Sequence, residues 1–400
     1  MNFIFISPHF PETYWAFCAA LKRNGVNVLA IADAPYDQLR QELKANITEY
    51  YKVDNIGNYD AMYRAIGYFA HKYGRIDWIE SNNEFWLEQD ARLRTDFNVT
   101  TGIRNGHVIE SYKEKSEMKK VYTKGGVPTA RQIKGSRPEK KLWEFVKTTG
   151  YPIIAKPDVG VGAGDTHKLH NDEEFKAFLE NSKEHVKDYV IEEFISGQIC
   201  SYDAVINSQG EPIFESTAMW PPSIMDIVNK QLELHYYVAQ EVPAALREIG
   251  RKTVKAFGVT SRFIHFEFFC LDRDREGLGK KGDFVALEVN MRPAGGYSPD
   301  MMNYTQSTNV FQIGADMVAF DECRTKPGER KYCSAYVGRR SNRQYVYSHE
   351  ELCKEFAGKV MMSGPIAEVL SGAMGNYFYV ARLDDEAEAE KFIEWATKNK

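Results

Sequence analysis

The chain has 400 residues, enough for two or three domains with sizeable cores. Its 51 basic and 56 acidic residues leave a formal charge of −5, and no long block of like charges suggests a nucleic-acid arm or a membrane-binding patch. Hydrophobic residues make up 43% and charged residues 27%, as in soluble globular proteins, and no apolar run approaches the ~20 residues of a membrane span.

Asn2–Ser7 is a short apolar run closed by Pro8-His9, which reads as a first strand and not as a signal peptide. Helical spacing over Tyr14–Asn24 stops at Gly25, Val26–Ala32 is a second apolar run, Tyr59–Tyr73 is helical up to Gly74, and Ile76–Glu80 is strand-like. This alternation predicts a parallel α/β layer over about residues 1–110. A second unit, 111–325, starts with helices at Lys113–Lys124 and Lys141–Thr149, each ended by glycine. Strands follow at Tyr151–Lys156, Tyr189–Ile195 and Tyr202–Asn207, with a helix at Asp172–Ser182 that Asn171 can cap. The helix Ala244–Phe257 then leads to strands Phe263–Leu271 and Phe284–Asn290. A last unit, 326–400, carries strands near Cys333–Gly338 and Tyr377–Leu383 and a helix at Glu386–Lys398. The six scattered cysteines form no CxxC pair, which points to a reduced, cytoplasmic protein.

Three clusters carry chemistry. The turn Val159–Asp165 spaces Gly160, Gly162 and Gly164 so that backbone N–H groups can approach phosphate oxygens. Asp165 stands where a dinucleotide fingerprint needs glycine, and neither Gly-Lys pair is followed by Ser or Thr, which excludes a P-loop. Lys156 sits in the apolar strand before this turn, where it needs an anion or a partner acid. Glu267 lies in one strand, and Glu288 and Asn290 share one face of the next, a hard-oxygen set that suits Mg²⁺ beside phosphate. Arg292 continues that face, with a fork that can hold a carboxylate or phosphoryl group. A solvated strand face with a surface ion pair is the plainer alternative.

Over about Lys113 to Asp316 the chain resembles the ATP-grasp superfamily, in its carboxylate-amine ligase branch. The segment KEKSEMKKVYTKGGVPTAR puts Lys115 in place of the first nucleotide lysine, and Lys156 with the glycine turn resembles the second lysine and its lid. VIEEFISG resembles the adenine hinge at Glu192, Glu193, Phe194 and Ile195, and Asp203 stands in place of the acid near the ribose or the lysines. Ile199 departs from the glutamate many members carry there. Glu267, Glu288, Asn290 and Arg292, followed by Gly295 and Gly296, resemble the metal and acyl motif. The resemblance implies an α/β fold: an ATP-grasp module between an N-terminal parallel layer and a small C-terminal α+β domain. It implies an ATP- and Mg²⁺-dependent ligase, with Mn²⁺ admitted, that activates a carboxylate as an acyl-phosphate and joins it to an amine. Lys156 and Arg292 would act in catalysis, and Arg292, Gly295 and Gly296 would hold the acyl group. Small-molecule carboxylate and amine partners are expected, with no nucleic acid or membrane, and a homodimer is admitted. A bicarbonate-phosphorylating enzyme and an inactive nucleotide-binding protein are the alternatives.

Weaker signals remain. His235 lies where some dipeptide-forming relatives place a catalytic histidine near the acyl-phosphate, although a structural histidine is the plainer reading. Glu84 follows a strand end that lines the substrate site in relatives, and Trp220–Ser223 could shape the same pocket. The loop Asp272–Asp283 imitates an EF-hand off pattern, and His349–Cys353 lacks the second histidine of a zinc protease.

Overall fold

The structure is a computed structural model that describes residues 1–104, 109–160, 165–220 and 232–400, save the side chain of Val369. The N-terminal layer is a four-stranded parallel sheet in the order Glu49–Lys52, Asn27–Ala32, Asn2–Ile6, Trp78–Glu80. Its two central strands are short and almost wholly apolar because helices Trp15–Arg23 and Tyr59–Tyr73 cover its faces, as parallel sheets require. The strand Glu49–Lys52, sequence EYYK, carries no apolar alternation, and the sequence reading passes over it.

A small antiparallel sheet orders Gln132–Lys134, Tyr189–Glu193, Ile153–Pro157 and His167–Leu169. The large antiparallel sheet runs in the order Phe284–Asn290, Arg262–Leu271, Gly197–Ile206, Ala218–Trp220, His235–Val238, Cys333–Arg339, Tyr377–Leu383, Val360–Pro365, with Pro212–Ser216 beside Gly197–Ile206. The C-terminal strands therefore extend the sheet that carries the central acids.

The run FIHFEFF is apolar because its strand is covered on both faces. Ile264, Phe266 and Phe268 join the cluster around Tyr122, Val254 and Phe257. Phe263 turns the other way, edge-on to Phe17 at 5.3 Å, which ties the large sheet to the N-terminal layer. His265 and Glu267 share this second face. No helix among the described residues is long and apolar enough to cross a membrane.

Candidate active site

Glu267 and Glu288 stand directly opposite each other on antiparallel strands, and Asn290 faces His265 one step along. The pairing slips at Leu287, since Glu267 opposes Glu288 but Phe268 opposes Ala286. A bulge of this kind re-aims side chains, and it falls at the two acids. Burial raises the Glu288 carboxyl, opposed by Lys115 at 3.6 Å and reinforced by the charge of Glu267. Two acids aimed at one point in a buried setting fit a divalent cation. Among the described residues no group of three histidine, cysteine or acidic side chains surrounds one point. An ion here would take two carboxylates and the Asn290 amide from the chain and its other oxygens from ligand and water.

Beside the acids lies a cluster of cations. Lys115 donates to the Gly160 carbonyl at 3.2 Å and is anchored by its own N–H to the Asp158 carbonyl at 2.9 Å. Lys156, only 7% exposed, pairs with Glu192 at 2.7 Å. The other Glu192 oxygen meets Lys119 at 3.1 Å and Gln132 at 2.7 Å. Burial pushes the Glu192 carboxyl up, but the two lysines outweigh it and hold it at about 2. Burial also lowers the Lys119 ammonium against the pull of Glu192. Gly162 and Gly164 lie outside the described residues.

The hinge segment divides by role. The Glu193 carboxylate is taken by Arg131, which donates its backbone N–H at 2.7 Å and its guanidinium at 3.0 Å, and by Arg275 at 3.4 Å. Ile195 is buried against Ala130, Leu271 and Val285. Phe194 lies under Lys168, whose ammonium is 3.8 Å from the ring centre. The acid side chains are thus engaged within the protein, which leaves the segment's backbone and the Phe194 ring edge for other contacts. Asp203, expected near the ribose, is engaged within the sheet. It is 2% exposed, and its oxygens are committed to His265 Nδ1 at 2.6 Å and to the Ser201 hydroxyl.

On the far side of the acids, Arg292 donates to the Asn290 side-chain oxygen at 3.4 Å and to the Pro293 carbonyl at 2.8 Å. A Cβ added at Gly295 would lie 4.0 Å from Arg292 Nη1, so its backbone is open to the guanidinium side. Gly296 holds φ +61°, and a Cβ there would strike Met374 at 2.7 Å. Glu84 approaches Arg292 at 4.0 Å and accepts the Met291 N–H at 3.2 Å, while its Oε1 is buried without a partner. Burial carries its carboxyl up to about 7. A cavity of about 30 Å³ lies nearby between Trp78, Glu80, Arg262 and Phe263, with room for a water or two and not for a substrate.

His235 is not brought to this cluster. Its neighbour Tyr236 bonds Ser298 at 3.0 Å, so alternation turns His235 to the opposite face, which it shares with Tyr237. Trp220 is on the site side, edge-on to His265 at 5.8 Å, while residues 221–223 lie outside the described residues.

No protein-family model and no curated protein matches this sequence. Solved structures do resemble it. The L-amino acid ligase from Bacillus licheniformis superposes with a TM-score of 0.69 at 14% identity, over 98% of this chain and 97% of that one. The phosphoribosylglycinamide synthetase from Anaerococcus prevotii gives 0.69 at 13%, over 98% and 96%. The biotin carboxylase domain of the Hydrogenobacter thermophilus 2-oxoglutarate carboxylase, solved with MgADP and bicarbonate, gives 0.66 at 16%, over 98% and 88%. The chain has the ATP-grasp fold.

Within this ATP-grasp fold, two residues of the cluster escape the sequence reading. Lys119 follows Lys115 by one helical turn and so shares its face, a spacing that could have revealed it. His265 precedes Glu267 by two residues in a strand and so shares its face too. Burial opposes its positive charge, but Asp203 and Glu267 carry the imidazole up to about 9.

Proposed function

We propose that the chain is an ADP-forming ligase that phosphorylates a small carboxylic acid with ATP and passes the acyl group to an amine. The observation that carries this reading is the facing pair Glu267 and Glu288, with Asn290, set between the Lys115–Lys156 cluster and Arg292. Glu267, Glu288 and Asn290 would hold Mg²⁺, which when bound neutralises phosphate charge and orients the terminal phosphoryl group. Lys115 and Lys156 would take the remaining phosphate oxygens. Lys156 has its own counter-ion in Glu192, and Lys119 keeps that acid paired when Lys156 turns to a phosphate. Phe194 and the hinge backbone would meet the adenine. Arg292 would orient the attacking carboxylate and, with the Gly295 and Gly296 amides, steady the oxyanion as the amine adds. Catalysis is then mostly positioning and electrostatics. The three units at 1–110, 111–325 and 326–400 are proposed with it, as is a cytoplasmic setting in keeping with six unpaired cysteines.

The test is a screen of amino acids and related small acids for phosphate release with ATP and Mg²⁺. One ADP and one phosphate should form per amide, and hydroxylamine should trap the acyl-phosphate as a hydroxamate when the amine is withheld. AMP and pyrophosphate as products would overturn the reading. ADP formation that depends on bicarbonate alone would replace it with the bicarbonate-phosphorylating alternative.

A further inference from the structure

We infer that His265 is the positioning residue for Glu267, the end of a side-chain chain Ser201–Asp203–His265–Glu267 that fixes one metal-binding oxygen before any metal arrives. The inference rests on the proposed metal role of Glu267.

The chain follows from strand pairing. Gly197–Ile206 and Arg262–Leu271 run antiparallel, with Asp203 opposite His265 and Ser201 opposite Glu267. All four side chains therefore share one face, where cross-strand neighbours touch. The imidazole is held at both nitrogens, with Nδ1 2.6 Å from an Asp203 oxygen and Nε2 3.2 Å from Glu267 Oε1. Asp203 is fixed in turn by the Ser201 hydroxyl. Ser201 is itself pinned, since its Oγ accepts the Ala218 N–H at 2.9 Å and its carbonyl accepts the Thr217 hydroxyl at 2.7 Å. The edge of Trp220 closes one side of the ring. Ser201, Asp203 and His265 are all buried.

Such a chain has a physical purpose. A glutamate side chain has three free torsions, and ordering it at the moment a ligand binds weakens binding. Glu288 pairs with Lys115 at 3.6 Å and so leans on a flexible side chain longer than its own. Glu267 instead leans on an imidazole locked by a buried aspartate. Bonds of this outer kind set ligand orientation and metal affinity. They also explain why an acid as buried as Asp203 is kept in the middle of the sheet.

Mn²⁺ serves as the probe. Its binding to the ADP complex, read from the paramagnetic resonance signal of the free ion, should weaken on the order of 10- to 100-fold in His265→Ala. ADP binding without metal should stay unchanged. His265→Gln, whose amide can still donate to Glu267, should recover part of the loss. Asp203→Asn leaves the imidazole in place but replaces its charged acceptor with a neutral amide that can also present an N–H donor, so it should weaken Mn²⁺ in the same direction and by less. This variant carries the test if His265→Ala does not fold. Mn²⁺ affinity within twofold of wild type in a folded variant would overturn the inference, as would an equal loss of metal-free ADP binding. A wild-type protein whose ADP complex binds no Mn²⁺ would overturn both this inference and the metal reading beneath it.

Discussion

The two ends of the cleft handle buried charge in opposite ways. At the lysine end Glu192 meets two lysines and a glutamine amide, and its carboxyl is held at about 2. At the Arg292 end Glu84 keeps one buried oxygen without a partner, and burial carries its carboxyl up to about 7; Asp300, on the helix Ser298–Gln306, does the same elsewhere. Phosphates bring negative charge with them, so a site for them needs cations kept in order until they arrive. A pocket with unpartnered acid oxygens is complete only with a proton or with a ligand that donates. The difference teaches where each end gets its rigidity: the first from pairs within the protein, the second in part from what it binds.

The largest expected effect lies between the two ends. Glu288→Gln should lower turnover at least on the order of a hundred-fold, because it removes one of two facing carboxylates from the proposed ion site. Its thermal midpoint should hold or rise, since the charge facing Glu267 is gone. Near-normal turnover at saturating Mg²⁺ would remove the metal assignment.

Within the lysine end, Lys156 and Lys119 should separate. Lys156→Met should weaken ATP binding by at least about tenfold, the loss of one charge-assisted contact. Lys119→Met should act mainly on stability. Breaking a buried pair outright costs about 3–5 kcal/mol, but Glu192 keeps Lys156 at 2.7 Å, so a loss of about 1–2 kcal/mol is expected. Urea unfolding and calorimetric ATP titration read the two quantities separately. Equal losses of ATP affinity in both variants would mean that Lys119 also touches the nucleotide.

The acyl end should show itself in pH. A carboxyl whose folded value lies above its unfolded value binds its proton more tightly when folded. Stability is then greatest below the unfolded value of 4.5 and falls as pH rises to about 7, where Glu84 ionises in place. At ~1.4 kcal/mol per unit the loss is about 3 kcal/mol as an order of magnitude, and Asp300 adds in the same direction. Glu84→Gln should flatten its share of this slope between pH 5 and 8. A slope that is the same in both proteins would show that Glu84 is already neutralised by Arg292. An amine-bearing substrate that docks on Glu84 should also raise stability more at pH 8 than at pH 5.

Glu288 and Asn290 were legible because two residues apart on a strand share a face, and Lys156 because a lysine in an apolar strand needs an anion, whereas Lys115 was legible only through the family resemblance. The helix Ala244–Phe257 and the strands Phe284–Asn290 and Tyr377–Leu383 fall at the expected residues because their local period marks them. What escaped depends on distant pairing. Ala218–Trp220 is too short to show any period, and His235–Val238 is held between that strand and Cys333–Arg339, almost a hundred residues on. Asp203 looked like a free acid because nothing local says that His265 will lie opposite it.

His235 lies outside both ends, and its replacement should have the smallest effect. Its strand alternates: Tyr236 points to Ser298 and stacks on Trp220, while Tyr237 packs into the cluster of Cys333, Val337 and Phe392. His235 shares the Tyr237 face and pairs across the strand with Val337. Its Nδ1 is buried without a hydrogen-bond partner among the described residues, and burial lowers its pKa against the pull of Glu233. An imidazole on that face is turned away from Tyr236 and Ser298. His235→Leu removes the unsatisfied nitrogen and should change stability by no more than about 1 kcal/mol, in the stabilising direction. Turnover should stay within about twofold of wild type, as for substitutions that touch neither a core void nor a charged network. A tenfold loss of kcat with KM unchanged would mean that the strand turns over when substrate binds, and would restore His235 to the reacting centre.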